Sequence, residues 1–456
     1  MTKNTDSVTD LETALPSPSK EKEIDATVNG QTVAPTAARR SWRPLQPLLK
    51  LRVFDVLRHR EFRLLWLGQA CSGMAIWMDQ VTRGWLIYEL TDSALQLGLV
   101  RGVQAIPFLL LSPVAGSAAD RYSRKKQVIA AQSASGLVFA ATALLIFTGQ
   151  IQPWHVYVTS VLMAIAQVFQ QPARASMVAE SVPLESLTNA IGLNSVVFNV
   201  ARSTGPALAG VLIAGIGTGA SYSAQAIFFL LATLWTLQVG SAQPSAGRAG
   251  TRASRGESFA QSILEGWKFS WRNEAVRTGL LIVFFASLFI VPFTTLLPVF
   301  ARDLLGVGAT GQGLLLTSMG MGALLSAFTI ASVGDRLPRG ILMLAGVIVY
   351  GIAIVLFAAS PWFNLSIALM AVVGLCHVSA HALIQTVIQS YSPAEFRGRT
   401  TAIFHMSQVV MTVGSMLFGG LAALWGAPWA VASMGMAGSL ATVAIFVALP
   451  RARDIR

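Results

Sequence analysis

The chain has 456 residues, of which 54% are hydrophobic and only 12% are charged. Soluble domains carry about 25% charged residues, so this composition excludes an ordinary soluble protein and indicates a chain of membrane helices. The net charge of +12 does not indicate nucleic-acid binding, because no basic helix or aromatic stacking platform accompanies it. Cys71 and Cys376 are the two cysteines, too few for a disulfide framework or a thiolate metal cluster.

The amino-terminal region is polar and is predicted to lie outside the membrane. Residues 1–58 mix charges with Ser, Thr, Ala and Pro, and they lack the apolar core of a cleavable signal peptide. Such a segment cannot bury enough apolar surface to fold alone, so we expect a disordered cytoplasmic tail.

Twelve hydrophobic segments follow, and most have the ~20 residues that a helix needs to cross the hydrocarbon layer. Their turns carry Gly, Pro or charge, although the breaks at 149–153 and 216–220 have almost no polar spacer. The predicted spans are 62–90, 95–118, 126–149, 153–179, 187–216, 219–239, 277–301, 309–333, 339–359, 361–391, 399–424 and 427–449. The predicted fold class is an all-α membrane protein with twelve transmembrane helices.

A polar stretch divides the predicted helices into two groups of six. The groups occupy residues 59–239 and 277–450, and residues 240–276 form a cytoplasmic linker between them. Residues 451–456 form a short cytoplasmic tail. We therefore expect two six-helix bundles joined by a flexible connection.

The second part of the linker has the pattern of an amphipathic helix. Trp267 and Trp271 lie four residues apart within 257–272, with charged residues between them. Such a helix is predicted to lie on the inner membrane surface, and partner binding is the alternative.

Charge predicts the orientation of the chain in the membrane. Lys and Arg concentrate on one side of the twelve predicted helices, in the loops that hold Arg121, Arg124, Lys125, Lys126, Arg336, Arg339, Arg397 and Arg399. Positively charged loops stay in the cytoplasm, so both termini are predicted to be cytoplasmic. The composition fits a monomer in a bacterial inner (plasma) membrane.

A charged turn between the second and third helices has a characteristic spacing. Gly116, Asp120, Arg121 and Arg124 follow the pattern Gly-x-x-x-Asp-Arg-x-x-Arg, and two lysines come next. The basic residues are explained equally well by topology, because they hold the loop in the cytoplasm. Asp120 contributes nothing to topology, and we interpret it as a gating residue.

A related turn occurs in the second half of the chain. Asp335 and Arg336 lie between the eighth and ninth helices, and Asp335 is 215 positions after Asp120. Pro183 and Pro393 lie in similar turns before the fifth and eleventh helices, 210 positions apart. Two matches at nearly one offset predict a duplication, with pseudo-symmetric bundles related by an axis along the membrane normal.

Over about residues 60–450 the chain resembles the major facilitator superfamily. The turn from Gly116 to Arg124 matches the superfamily signature between its second and third helices. Gly205 and Pro206, in the fifth helix, are similar to the glycine-proline signature of its antiporters. The turn in the second half lacks the further basic residues of the signature, so only the first turn is complete.

A further set of residues is similar to one branch of that superfamily. Pro172, Arg174, Glu180 and Pro183, together with Arg202 close to the glycine-proline pair, resemble enterobactin exporters and macrolide efflux pumps. The resemblance implies a secondary transporter that works by alternating access. It also implies that Asp120 locks the inner ends of the two halves in the outward-facing state, supported by a helix dipole.

Charged residues inside predicted spans are candidates for transport chemistry, because burying charge in hydrocarbon is costly. Asp79 and Arg83 lie one turn apart on the first helix, and Arg101 enters the second helix at a similar depth. The sequence predicts a carboxylate between two guanidiniums. Asp79 is our first choice for proton coupling, and a structural ion cluster is an equally good interpretation.

Three polar residues in helices four and five are further candidates. Arg202 is predicted to line the cavity or take part in coupling, and pairing between helices is the alternative. A cation exposed to the cavity would attract an anionic substrate. Arg174 and Glu180 lie near the inner end of helix four and are predicted to form part of a conformational clamp.

Two histidines lie one turn apart on the tenth helix. His377 and His381 are predicted to face the central cavity, because helices one, four, seven and ten line it in the superfamily. Histidine titrates near neutral pH, so these residues are also candidates for proton coupling. No third ligand accompanies them, and we predict no metal site.

These observations predict a secondary active transporter that exports a small amphipathic organic molecule, such as a drug, macrolide or siderophore, by proton antiport. No Walker loop is present, so neither ATP nor another cofactor is expected. No enzyme activity is expected either. Lysophospholipid flipping is an alternative transport activity, and a non-transporting membrane scaffold or sensor is the alternative from another class.

Overall fold

A computed structural model of the chain describes residues 52–240, 259–333 and 339–449. Several predicted features lie outside the described residues, namely most of the first tail, the first part of the linker, the second tail, the turn with Asp335 and Arg336, and the side chain of Asp120.

The described backbone is helical almost throughout. The first group of helices is α1 (Arg60–Thr91), α2 (Ala94–Val103), α3 (Ala105–Arg121), α4 (Arg124–Phe147), α5 (Pro153–Glu180), α6 (Leu187–Gly215) and α7 (Thr218–Gln238). The second group is α8 (Phe259–Arg272), α9 (Glu274–Phe289), α10 (Leu297–Val299), α11 (Gly308–Val333), α12 (Arg339–Ala359), α13 (Phe363–Ser390), α14 (Ala394–His405), α15 (Ser407–Trp425) and α16 (Ala427–Ala448).

The length and composition of these helices make the chain a multi-pass membrane protein. Ten stretches of the described residues are long and apolar enough to cross a membrane. Helices α1 and α5 are also long, but their polar and charged residues leave them outside that set. The all-helical fold predicted from sequence is confirmed.

The last residues of the predicted tail, 52–58, are described by the structure and are helical. Residues Arg52–Arg58 form a 3-10 helix directly before α1. Val56 in this turn is 2% exposed and packs in a cluster with Phe62 and Leu65. Part of the segment predicted to be disordered is therefore anchored to the helices.

The predicted second span, 95–118, is interrupted. It consists of α2 and α3, which meet at Gln104. Pro107 explains the break, because it has no N–H to donate to the carbonyl of Val103 four residues earlier. The interruption lets α2 and α3 follow different neighbours.

The predicted seventh span, 277–301, is also irregular. Helix α9 ends at Phe289 and is followed by a 3-10 segment, Val291–Leu296, then by α10 and a π-helical turn, Phe300–Leu304. Pro292 and Pro298 remove two backbone donors within this stretch. Gly414 of α15 approaches the freed backbone closely, since a Cβ added there would lie 2.5 Å from the Leu288 carbonyl oxygen.

The predicted eleventh span, 399–424, divides into α14 and α15 at Met406. No proline or glycine marks this break, and nothing in the local sequence explains it.

Helix α14 also carries the contact with the linker helix. Phe269 of α8 stacks on Phe396 of α14 at 4.6 Å between ring centroids, and Glu265 pairs with Arg399.

The linker helix α8 covers Phe259–Arg272 of the predicted 257–272, and residues 257 and 258 lie outside the described residues. Trp267 and Trp271 stack on each other and remain 40% and 52% exposed. The helix therefore contacts the second group of helices through one face and presents two indoles on another. Exposed indoles are typical of helices at a membrane interface, and the surface position of α8 stays a prediction.

Helices pack mainly with members of their own group. Helix α1 contacts α6 and α7, and α4 contacts α5 and α7. In the second group, α13 contacts α11 and α12, and α12 contacts α16. Two extensive contacts connect the groups, α6 with α11 and α2 with α15.

The contacts between the groups are concentrated at one end of the helices. We call it the Asp92 end, after the turn between α1 and α2, and we call the opposite end the Arg124 end. A Cβ on Gly98 of α2 would lie 2.6 Å from the Ser415 carbonyl oxygen, and one on Gly313 of α11 would lie 2.5 Å from the Pro206 carbonyl oxygen. At the Arg124 end, α3 contacts α15 only marginally. The two groups are therefore closed against each other at the Asp92 end.

Candidate functional site

The second group of helices contains a partly open cavity of about 540 Å³, which we call the histidine cavity. Its lining comes from α9, α12, α13 and α15 and from the 3-10 segment. His377 and His381 both line it, and their ring centroids are 6.1 Å apart. The structure thus places the two predicted histidines on one wall, within the second group rather than midway between the groups.

Tyr350 and Gln408 add polar groups to the same cavity. The Tyr350 ring meets the His377 ring edge to face at 5.6 Å between centroids. The Tyr350 hydroxyl is buried and has no hydrogen-bond partner among the described residues. Sequence reasoning missed Tyr350, since a tyrosine in an apolar helix carries no signal until its neighbours are known.

Arg202 reaches this region from the other group of helices. Its guanidinium lies 5.3 Å from the ring centroid of Trp77, on α1. It is close enough to interact electrostatically with Tyr350, His377 and His381. A cation from α6 therefore lies within electrostatic range of two imidazoles from α13, although Arg202 is not itself part of the cavity wall.

Asp79 and Arg83 form an ion pair within α1. The Arg83 guanidinium donates from Nη2 to the Asp79 carboxylate at 2.5 Å and from Nε at 3.2 Å. The Asp79 side chain is 13% exposed and the Arg83 side chain is 4% exposed. The pair therefore fixes the Asp79 and Arg83 side chains against each other on one face of α1 in this conformation.

Arg101 lies within electrostatic range of Asp79 and Arg83, but it makes no direct pair with Asp79 in this conformation. Arg101 donates its Nη2 to the side-chain oxygen of Gln80, not to Asp79. The reason is the α-helical period, which places Asp79 and Gln80 about 100° apart around α1. Arg83 and Arg101 instead share a small gap with Thr294 and Thr295 of the 3-10 segment.

Arg174 and Glu180 do not meet each other. The buried Arg174 guanidinium donates from Nη2 to the Leu65 carbonyl oxygen at 2.6 Å, which ties α5 to α1. Glu180, at the end of α5, accepts an ion pair from Arg124 at the start of α4. The predicted clamp residues therefore make two separate contacts, both inside the first group of helices.

The basic residues of the signature turn have different surroundings. Arg121 is exposed, and a Cβ added to Gly116 would meet no atom within 4 Å. Lys125 donates from Nζ to the carbonyl oxygens of Leu237 and Val239, at 2.9 and 2.5 Å, at the end of α7. The turn is thus fixed to the first group and leaves Gly116 free of contact.

Gly205 and Pro206 lie where α6 crosses two neighbours. A Cβ on Gly205 would lie 2.9 Å from Trp77 Cβ, so glycine lets α6 approach α1. The Pro206 carbonyl lies against Gly313 of α11. The glycine-proline pair therefore belongs to the contact surface between the two groups.

A cluster that the sequence analysis did not identify connects the groups at the Asp92 end. We call Tyr88, Asp92, Arg302 and Asp303 the ionic latch. Arg302 pairs with Asp92 and, from Nε at 2.8 Å, with Asp303, and its guanidinium lies 4.2 Å from the ring centroid of Tyr88. The Tyr88 hydroxyl donates to Asp303. The sequence did contain one signal for this contact. Tyr88 and Asp303 are 215 positions apart, the same offset as between Asp120 and Asp335.

The chemistry of these sites is that of binding and ion pairing. No group of three metal-ligating side chains occurs within the ranges that the structure describes. The cavity combines an apolar wall with a few polar groups, which is the usual composition of a small-molecule site.

Comparison with known proteins identifies the family. The profile described as Transmembrane secretion effector, a branch of the major facilitator superfamily, matches residues 52–455. The chain is 28% identical over 328 residues to the multidrug efflux pump Tap of Mycobacterium tuberculosis, covering 70% of this chain and 76% of that protein. It is 24% identical to the staphyloferrin A transporter of Staphylococcus aureus, covering 79% and 89%.

A solved structure supports the fold. The inward-facing, unoccupied bacterial homologue of the lysosomal transporter Spinster superposes with a TM-score of 0.64 at 15% identity, covering 87% of this chain and 96% of that one. The helical architecture, the contacts between its two groups and the profile match agree with one another. The chain is therefore a multi-pass membrane transporter of the major facilitator superfamily, in the branch of transmembrane secretion effectors, and not an enzyme.

Proposed function

We propose that this transporter exports a small amphipathic organic molecule by alternating access and that proton entry drives the export. The asymmetry between the two ends carries the proposal, since the helix groups pack closely at the Asp92 end and separate at the Arg124 end. A partly open cavity with polar groups lies behind the closed end. Relatives named as a multidrug efflux pump and a siderophore transporter support export and this class of substrate.

The proposed architecture is a monomer of twelve membrane helices in two six-helix bundles, over residues 59–239 and 277–450. Helices α1 and α5 supply the two spans beyond the ten apolar ones. Contacts between positions 215 residues apart support a two-fold axis near the ionic latch, because such an axis brings equivalent positions together. The basic turns place the Arg124 end and both termini in the cytoplasm of a bacterial inner membrane.

Proton coupling is proposed at Asp79. Its partner Arg83 shares a gap with Arg101 and with the 3-10 segment of the second group, at the closed end. Opening that end would admit water to the ion pair and let a proton compete with Arg83 for the carboxylate. His377 and His381, in the cavity, are the second candidates for proton binding.

The signature turns are proposed to close the Arg124 end in the opposite conformation. Gly116 makes no close contact here, which leaves its surface available to the second group. Asp120 and Arg121 would lock that contact, and Asp335 and Arg336 would act at the equivalent turn. Asp120→Ala is expected to slow transport without affecting membrane insertion.

Everted membrane vesicles with an imposed pH gradient test the function. A growth-inhibition panel of antibiotics and iron chelators, run with and without the transporter, first selects a substrate. Gradient-driven transport of that substrate is expected to fall to background in Asp79→Asn. Asp55→Asn, which removes an exposed carboxylate before α1, is the matched control and is expected to transport normally. Full gradient-driven transport by Asp79→Asn would disprove the coupling assignment.

A further inference from the structure

We propose that the histidine cavity binds the anionic group of an amphipathic substrate and that Arg202 supplies the opposite charge. The inference rests on the proposed export function and specifies the substrate class. It distinguishes carboxylates and similar anions from the cationic amphiphiles that a multidrug pump could also carry.

The first observation is that Arg202 has no carboxylate partner among the described residues. Arg83, Arg124 and Arg302 each pair with an acidic side chain. Arg202 is half-buried and stacks on Trp77 instead. A cation at membrane depth without a counter-charge is costly, so the missing anion is expected to arrive with a ligand.

The second observation is a set of unused hydrogen-bonding groups around Arg202. Tyr350 is 1% exposed and lines the cavity, and its hydroxyl has no hydrogen-bond partner within the part of the chain that the structure describes. The Trp77 Nε1–H, beside Arg202, is also buried without a partner. Trp and Arg groups only donate, and a hydroxyl donates readily to an oxyanion, so each of the three is suited to an acceptor-rich ligand. An ammonium group would bring further donors and a second positive charge.

The third observation concerns the remaining wall. No Asp or Glu occurs among the described lining residues. The nearest acid on α1, Asp79, is already occupied by Arg83. A cationic substrate would therefore find no acidic counter-charge in the cavity wall, whereas an anionic one would lie within electrostatic range of Arg202, which acts on Tyr350, His377 and His381 of that wall.

The apolar wall accounts for the other part of the ligand. Val283, Val291, Val347 and Met411 are apolar members of the cavity lining. The cavity is open on one side, and its empty volume of about 540 Å³ includes that open space, so an apolar body can extend out of it while the anionic end lies inside. The geometry fits a ligand with one anionic end and an apolar aromatic or aliphatic body.

Three probes that differ mainly in charge test this assignment, namely naphthoxyacetate, naphthoxyethanol and naphthoxyethylamine. Their binding to the full chain in lipid nanodiscs is measured by calorimetry, with empty nanodiscs subtracted. We expect the acid to bind about tenfold more tightly than the alcohol, and the amine to bind most weakly. Arg202→Gln should weaken binding of the acid about tenfold and change binding of the alcohol by less than about twofold.

Arg63→Gln is the matched control, because Arg63 is an exposed arginine near the start of α1 and its loss changes net charge equally. It should leave all three affinities unchanged. Equal affinities for the three probes, a preference for the amine, no saturable binding of the acid, or unaltered acid binding in Arg202→Gln would overturn the inference.

The binding assay separates this inference from the proposed function. Binding is measured without a gradient, so a charge preference can be found even where pH-driven transport fails in vesicles. Conversely, pH-driven transport with equal binding of acid, alcohol and amine would support export and overturn the anionic substrate class.

Discussion

The Asp92 end and the Arg124 end of the helices differ in what holds the two groups together. At the Asp92 end, backbones touch through glycines, and the ionic latch connects α1 to the segment after α10. At the Arg124 end, the described ion pair Arg124–Glu180 and the Lys125 contacts stay within the first group. The structure is therefore a conformation closed at one end, and its stability depends on contacts that must break during transport.

At the closed end, the glycine contacts and the ionic latch have different roles. Glycine contacts bring backbones together and have no flexible part that could adjust, so they define where the helices meet. The ionic latch is more exposed, with Asp92 at 74% and Arg302 at 34%. Exposed ion pairs contribute about 0–1 kcal/mol each, which suits a contact that forms and breaks in every cycle.

The proposed duplication accounts for the pair of glycine contacts at the Asp92 end. Gly98 and Gly313 are 215 positions apart, as are Tyr88 and Asp303. Gly98 meets α15, and Gly313 meets the equivalent helix α6 in the other group. Under the proposed duplication these two contacts are equivalent, and together they close both sides of the Asp92 end.

The largest expected effect comes from enlarging a glycine at this contact. In Gly419→Leu, the new Cβ would lie 2.8 Å from the Ala94 carbonyl oxygen and 3.0 Å from Gly98 Cα. Overpacking costs about 1–3 kcal/mol, so the closed conformation should lose about tenfold to a hundredfold in population. The reactivity of a single cysteine, Thr295→Cys, toward a water-soluble maleimide should rise accordingly, with Cys71 and Cys376 replaced by serine.

The neighbouring residue is the matched control. A Cβ on Gly420 meets no atom within 4 Å, so Gly420→Leu adds the same side chain to the same helix without touching α2. It should leave the reactivity of the cysteine at position 295 unchanged. Equal reactivity in the two variants would show that the α2–α15 contact does not close this end.

A smaller effect is expected from the ionic latch. Arg302→Gln removes two ion pairs and the contact with the Tyr88 ring. The loss of about 1 kcal/mol should raise the maleimide reactivity at position 295 about fivefold. High salt should raise it in the unaltered chain and have little further effect in the variant, because salt screens exposed charges.

Arg302→Lys tests whether charge alone is sufficient. Lysine keeps the charge but not the fork that pairs with Asp92 and Asp303 together, so an intermediate reactivity is expected. A latch variant as reactive as Gly419→Leu would mean that ion pairs, rather than backbone packing, hold the Asp92 end.

The sequence predicted the helical fold and most helix positions because long apolar runs have few alternatives in a membrane. It also found the residues that carry charge into those runs, such as Asp79, Arg83 and Arg202. The Asp79–Arg83 pair was predictable because both residues lie on one helix, one turn apart.

The partners that lie on different helices could not be predicted. Arg101 donates to Gln80 rather than to Asp79, which depends on the rotation of α1 against α2. Tyr350 joins the histidine cavity from α12, and Arg302 joins the ionic latch from the irregular end of the seventh span. The break between α14 and α15 at Met406 could not be predicted either, because no proline or glycine lies there.

The smallest effect is expected at the Arg124 end. Glu180→Gln removes the ion pair with Arg124, whose two side chains are 29% and 27% exposed and belong to neighbouring helices of one group. The free energy of unfolding should fall by less than about 1 kcal/mol. Maleimide reactivity at position 295 should stay within about twofold of the unaltered chain, since this pair does not connect the two groups in the closed conformation. A change as large as that of Arg302→Gln would show that the two ends communicate through α5, and the contrast between them would then describe one coupled element rather than two independent contacts.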